Sequence, residues 1–125
     1  MQLKHDLVRN VLLTIESNEY GTRLTQSNFK EAPLLTDCDL TDFVYTVERL
    51  YEAGFIDAEI AHMAFNSVSV RVKSITWSGH QFLDNIRDNK VWSETKKISS
   101  KVASVSLGIL SEVAASYMKK TLGLE

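Results

Sequence analysis

Near the start of the chain, apolar side chains return every four positions: Leu3, Leu7, Val11 and Ile15, with Val8 and Leu12 widening the stripe. The spacing predicts an amphipathic helix over 3–16, stopped by Asn18-Glu19-Tyr20-Gly21. The stretch 22–35 has the weakest pattern. A short strand over 22–25 and a turn of helix ending before Pro33 are expected there. The pattern then sharpens. Leu40, Phe43, Val47, Leu50 and Gly54 step by three and four, with Val44 and Tyr51 beside them. They predict a long helix with N-cap oxygens on Thr36, Asp37 or Asp39 and a left-handed stop at Gly54.

Past Gly54 the period drops to two. Ile56, Ala58 and Ile60 alternate with Asp57 and Glu59, then Val68, Val70 and Val72 with Ser69, Arg71 and Lys73. With Asn66-Ser67 between them, the two runs read as a hairpin. Thr76 is placed to cap a helix carrying Trp77, Phe82, Leu83 and Ile86 and ending near Asn89. A short helix from Val91 to about Ser100 and a last one from about Ser106 to Leu122 follow. The last carries a broad stripe of Ile109, Leu110, Val113, Ala114, Tyr117 and Met118, with Gly123 as its stop. This order predicts an α+β winged helix over residues 1–89, the long helix as recognition element and the hairpin as wing. A C-terminal helical extension, 90–125, is expected to pack on it or to pair two copies.

Four segments together are distinctive: His5-Asp6-Leu7-Val8-Arg9, Leu50-Tyr51-Glu52-Ala53-Gly54-Phe55-Ile56, the run from Ile75-Thr76-Trp77-Ser78-Gly79-His80 through Gln81-Phe82-Leu83-Asp84-Asn85-Ile86-Arg87, and Val91-Trp92. In them the chain resembles a family of small phage and prophage proteins of unknown function related to the YjcQ-like winged-helix group. The resemblance covers nearly the whole chain, with residues 24–36 fitting least. It implies a winged-helix fold and a mobile-element origin. It implies no activity and supplies no catalytic residues.

A length of 125 residues suits one core. The single cysteine, Cys38, excludes an intramolecular disulfide and a Cys-rich zinc site, and fits a reducing compartment. The N-terminal residues are charged where a signal peptide needs an apolar run. The uncharged stretch between Lys101 and Glu112 is about half of the ~20 residues a membrane span requires. A soluble, cytoplasmic protein of a bacterial host cell is expected, with no membrane association.

Catalytic chemistry finds little footing. His5, His62 and His80 are far apart, and His80 is expected to make a structural hydrogen bond. Cys38 lies between Asp37 and Asp39, whose charges raise a thiol's pKa and suppress its reactivity. No phosphate-cradling loop, nucleotide fingerprint or zinc spacing occurs. Asp37-x-Asp39-x-x-Asp42 lacks the glycine a calcium loop needs, and reads as helix capping. No catalytic residue, cofactor, metal or small-molecule substrate is therefore expected.

Charge alters the winged-helix reading. The formal charge is −2, but residues 1–89 hold 8 basic and 13 acidic side chains, a local −5, and residues 90–125 hold 6 and 3, a local +3. On the long helix Thr41, Asp42, Tyr45, Thr46, Glu48, Arg49 and Glu52 lie opposite the apolar stripe, and from Thr36 to Glu59 seven carboxylates face one cation, Arg49. Such a helix is repelled by phosphate. A DNA-binding regulator would have to use Thr41, Tyr45, Arg49, Arg71 and Lys73. The acidic face is otherwise a solvated surface, a protein-docking surface or a mimic of nucleic-acid charge. Protein contact would use Asp42, Tyr45, Glu48 and Glu52 with Met63 and Phe65 at the wing tip, where Phe65 either folds back on the body or anchors a partner. The last helix either packs on the body or forms a homodimer through Ile109, Val113 and Tyr117. Macromolecular recognition is the expected function, with protein contact ahead of DNA binding.

Overall fold

The four-residue repeat at the start closes into α1 (His5–Ser17), which buries Val8, Val11, Leu12 and Ile15; the computed structural model of the protein describes residues 1–124. A two-residue strand, β1 (Leu24–Thr25), follows, then two short 3-10 turns at Phe29–Glu31 and Pro33–Leu35. The second turn begins at Pro33, the residue expected to end helical structure, because proline's fixed φ suits a first helical position.

Helix α2 (Leu40–Glu52) starts where Asp39 accepts a hydrogen bond from the Asp42 N–H at 3.0 Å. Thr36 takes no part in that cap; its hydroxyl donates to the carbonyls of Ala32 and Pro33. Gly54, at φ +79°, ends the helix in the left-handed region, and the Phe55 N–H reaches back to the Leu50 carbonyl at 3.0 Å. Leu40, expected in the core stripe, is half exposed because it precedes the first turn that meets the body, and Thr46, expected on the outer face, is buried. Thr46 tolerates burial because its hydroxyl donates to the Asp42 carbonyl at 2.7 Å; Thr14 and Thr95 do the same with Asn10 and Val91.

Strands β2 (Ile56–His62) and β3 (Val68–Ile75) form the hairpin, and β1 pairs with the far edge of β3 in an antiparallel sheet of order β1-β3-β2. Asp57 pairs with Ser74 but Ala58 with Val72, so Lys73 is an extra residue in a bulge. The bulge resets the alternation: Val70 and Val72 face inward at even positions, and Ile75 does so at an odd one. Gln26 prolongs the β1–β3 pairing with its side chain, donating to the Val68 carbonyl and accepting from the Val70 N–H. Asn28 braces the same segment by accepting from the Thr25 N–H and donating to the Arg23 carbonyl.

Helices α3 (Trp77–Ile86), α4 (Asn89–Ser99) and α5 (Leu107–Thr121) complete a mixed α+β chain with, among the described residues, five α-helices and three strands. The third helix ends at Ile86, short of Asn89, because the Asp88 carboxylate accepts from the Val91 N–H at 2.9 Å and opens α4. No helix among the described residues is long and apolar enough to cross a membrane.

Packing divides the chain into two units, Met1–His80 and one beginning at Gln81, with α3 running through the division. In the first, α1 lies on α2, β3 and the second 3-10 turn, and Phe29 stacks on Phe43 with ring centroids 4.3 Å apart. Each of these fully buried side chains contributes about 1.5–3 kcal/mol. In the second, α4 and α5 pack on each other, and the Asn85 amide donates to Ser111 at 2.9 Å.

Candidate functional site

At the hairpin tip the alternation that built the strands ends with His62. The Met63 N–H donates to the Ser67 carbonyl at 2.7 Å, and the Ser67 N–H returns to the Ala64 carbonyl at 3.3 Å. This closes a tight turn whose two central residues both have positive φ: Phe65 at +62° and Asn66 at +60°. Asparagine tolerates that region, whereas a phenylalanine held there costs about 1–2 kcal/mol. Phe65 does not fold back on the body. Its ring is fully exposed, and Met63 beside it is 59% exposed. The tip thus carries apolar bulk that contributes nothing to the core.

On α2 the expected contact residues fall into two groups. Near the N-terminus, Asp42 accepts from Lys4 at 2.7 Å, which raises the Lys4 pKa. Further along, Arg49 reaches Glu52 at 2.9 Å and lies 4.9 Å from the Tyr45 ring centroid. The only cation of the acidic segment is therefore engaged by a carboxylate and an aromatic face. Glu48 is half-buried on the same helix, and Thr41 is exposed beside Asp42.

On the hairpin, Arg71 is exposed and stands opposite Glu59 in the sheet, while Lys73 meets the Glu59 carboxylate at 3.1 Å. The hydrogen bond from Lys73, with the charges of Lys73, Arg71 and Arg23, holds the Glu59 carboxyl below its ordinary range. Of the three cations a DNA contact would use, Arg49 and Lys73 form ion pairs with carboxylates of the chain, and Arg71 stands opposite Glu59.

The candidate reactive groups are quiet. Burial, then the charges of Asp42 and Asp39, push the Cys38 thiol up, and its Sγ donates to the Asp39 carbonyl at 3.3 Å. His80 is exposed and borders a hollow with Ile15, Glu16 and Ile75. Among the described residues no cluster of His, Cys, Asp and Glu is arranged to hold a metal.

In the second unit Ile109, Val113 and Tyr117 line one groove on α5, as their spacing requires, but Ile98 of α4 joins them. Periodicity within one helix carries no signal for that neighbour. Sequence reasoning also missed Trp77: an aromatic at the head of a helix reads as core, yet it is 78% exposed. An open hollow of about 490 Å³ between the end of α1 and the 22–34 segment, bordered by Thr14, Arg23, Glu31 and Leu34, was equally invisible. It lies in the stretch with the weakest pattern.

Comparison with known proteins finds relatives of this chain. The family described as "Hypothetical protein (DUF2513)" matches residues 2–106. An uncharacterized protein of Haemophilus influenzae is 33% identical over 124 residues, covering 98% of this chain and 99% of its own length. No solved structure matches.

Proposed function

The chain belongs to the DUF2513 family, and from that premise we propose that it is a non-enzymatic winged-helix protein that docks on another protein in the cytoplasm of a bacterial cell. In this reading α1, β1, the 3-10 turns and α2 form the helix-turn-helix body, α2 takes the place of the recognition helix, and β2–β3 is the wing. The resemblance noted from the sequence adds a phage or prophage origin.

One observation carries the reading: Phe65 is fully exposed in a strained left-handed turn. Neither burial nor backbone preference accounts for a phenylalanine there, whereas an aromatic anchor for a partner's pocket does. The carboxylates of α2 add that the partner's rim is basic. DNA is the weaker partner, since phosphate contact must compete with Glu52 for Arg49 and with Glu59 for Lys73.

The test is affinity capture from the native host with wild-type protein and Phe65→Asn side by side, and anisotropy on genomic duplex fragments at ~150 mM salt. A protein retained by the wild type and lost with Phe65→Asn, with no DNA binding, is the expected result. Tight, salt-sensitive DNA binding abolished by Arg49→Ala, or by Arg71→Ala with Lys73→Ala, would replace this reading with that of a transcriptional regulator.

A further inference from the structure

Helix α5 covers only part of its apolar circumference. Leu110 and Ala114 are buried, whereas Ile109 is 51% exposed. With Val113 and Tyr117 it walls a groove of about 380 Å³, closed on its other side by Ile98. The polar residues of the same face identify what fills it. Glu112, Ser116 and Lys120 follow one another at steps of four along α5. They form one row, each step rising about 6 Å. A carboxylate stands at one end, a small hydroxyl in the middle and an ammonium at the other. Neither Glu112 nor Lys120 has an ion-pair partner among the described residues.

We propose that the groove binds a second copy of this chain, its α5 laid antiparallel on the first with the two-fold axis at Ser116. That axis places each residue opposite the one equally far on the other side of Ser116. Glu112 of one copy then meets Lys120 of the other, and the pair repeats by symmetry. An isologous contact needs a surface that is its own complement, and this row has that order of charge. Ser116 at the crossing lets the two helices approach closely. By the same rule Tyr117 falls opposite Ala115, and Val113 lies two residues, about 3 Å along the helix axis, from Tyr117 of the other copy. A parallel pairing would set Glu112 against Glu112 and Lys120 against Lys120. The pairing uses only the second unit and is independent of the hairpin tip.

Sedimentation velocity over a concentration series tests it. The wild type is expected to approach twice 14.1 kDa. Glu112→Lys and Lys120→Glu, each replacing two attractions by two repulsions, should each weaken association by about tenfold. Glu112→Lys combined with Lys120→Glu should recover wild-type association, because the swapped charges again match across the axis. Both side chains are exposed, so thermal unfolding of the single variants serves as the check that folding is intact. A wild type that stays monomeric overturns the proposal. So do single variants that dimerise normally, or a double variant that fails to recover.

Discussion

Gly79→Ala offers a test in which two known effects oppose each other. A methyl group at Gly79 would stand 2.0 Å from the Phe55 carbonyl oxygen and 2.6 Å from Ile75 Cγ2, where ordinary contact begins at 3.4 Å. The first turn of α3 would have to retreat by more than 1 Å. The Phe55 carbonyl also accepts from the Thr76 N–H at 3.0 Å, and the Thr76 hydroxyl donates to Gly54 and accepts from the Gly79 N–H at 3.1 Å. A shift of that size breaks at least one of these bonds, at about 1 kcal/mol, and overpacking adds about 1–3 kcal/mol. Against this, alanine is better than glycine in a helix by about 1 kcal/mol. The net loss is about 1–3 kcal/mol, and for a unit of this size the midpoint should fall by about 5–20 °C. Gly108→Ala is the matched control: it lies in α5 with its nearest neighbour, Ser106 Oγ, at 3.9 Å, so only the helix preference remains and stability should rise by up to about 1 kcal/mol. Calorimetry on both variants decides. Shifts of the same sign would refute the close approach of α3 to Phe55.

Phe65→Asn should leave stability unchanged or raise it by up to about 1 kcal/mol, since asparagine accepts the left-handed turn; a clear loss in thermal unfolding would mean that the ring packs on the body. Val70→Asp, at a fully buried strand position, should cost at least about 3 kcal/mol by urea unfolding, whereas Ser69→Asp on the other side of β3 should cost far less; equal costs would remove the hairpin's inward face. Cys38 should alkylate with iodoacetamide more slowly than free cysteine near pH 8, because its raised pKa leaves less thiolate, and Asp42→Asn should speed the reaction; a rate at or above that of free cysteine would contradict the assigned environment.

The elements legible in the sequence are those held by one repeated spacing. Phe43, Val47 and Leu50 mark α2, and Val70 and Val72 mark β3, because burial alone selects those residues. The 22–35 segment was opaque because Gln26 and Asn28 hold it through side-chain amides, which leave no period. Thr46 misled because a hydroxyl bonded to its own helix packs as an apolar group, and Trp77 because its size suggests burial. At the tip, Met63 and Phe65 stood out as apolar letters in a turn. The positive φ of Phe65 had no such signal, since phenylalanine gives no preference for that conformation. Arg49 and Glu52 are spaced to pair on a helix, so their engagement was readable from three-residue spacing, whereas Lys73 meets Glu59 across a strand register that a bulge displaces.

The joint between the end of α2 and the start of α3 has a consequence for how this protein can vary. Thr76 ties back to Gly54 and Phe55, so the chain leaves for the hairpin and returns from it at one fixed place. Everything from Ile56 to Ile75 is an excursion with a locked base, and residues 63–67 at its far end are all exposed. Lengthening such a loop twofold costs only about 0.6 kcal/mol, and substitutions there leave the core untouched. Five residues can therefore be exchanged wholesale while the scaffold stays as it is. The tip is thus a variable head on a fixed handle: changes confined to it alter the surface the hairpin presents and leave its buried strands as they are.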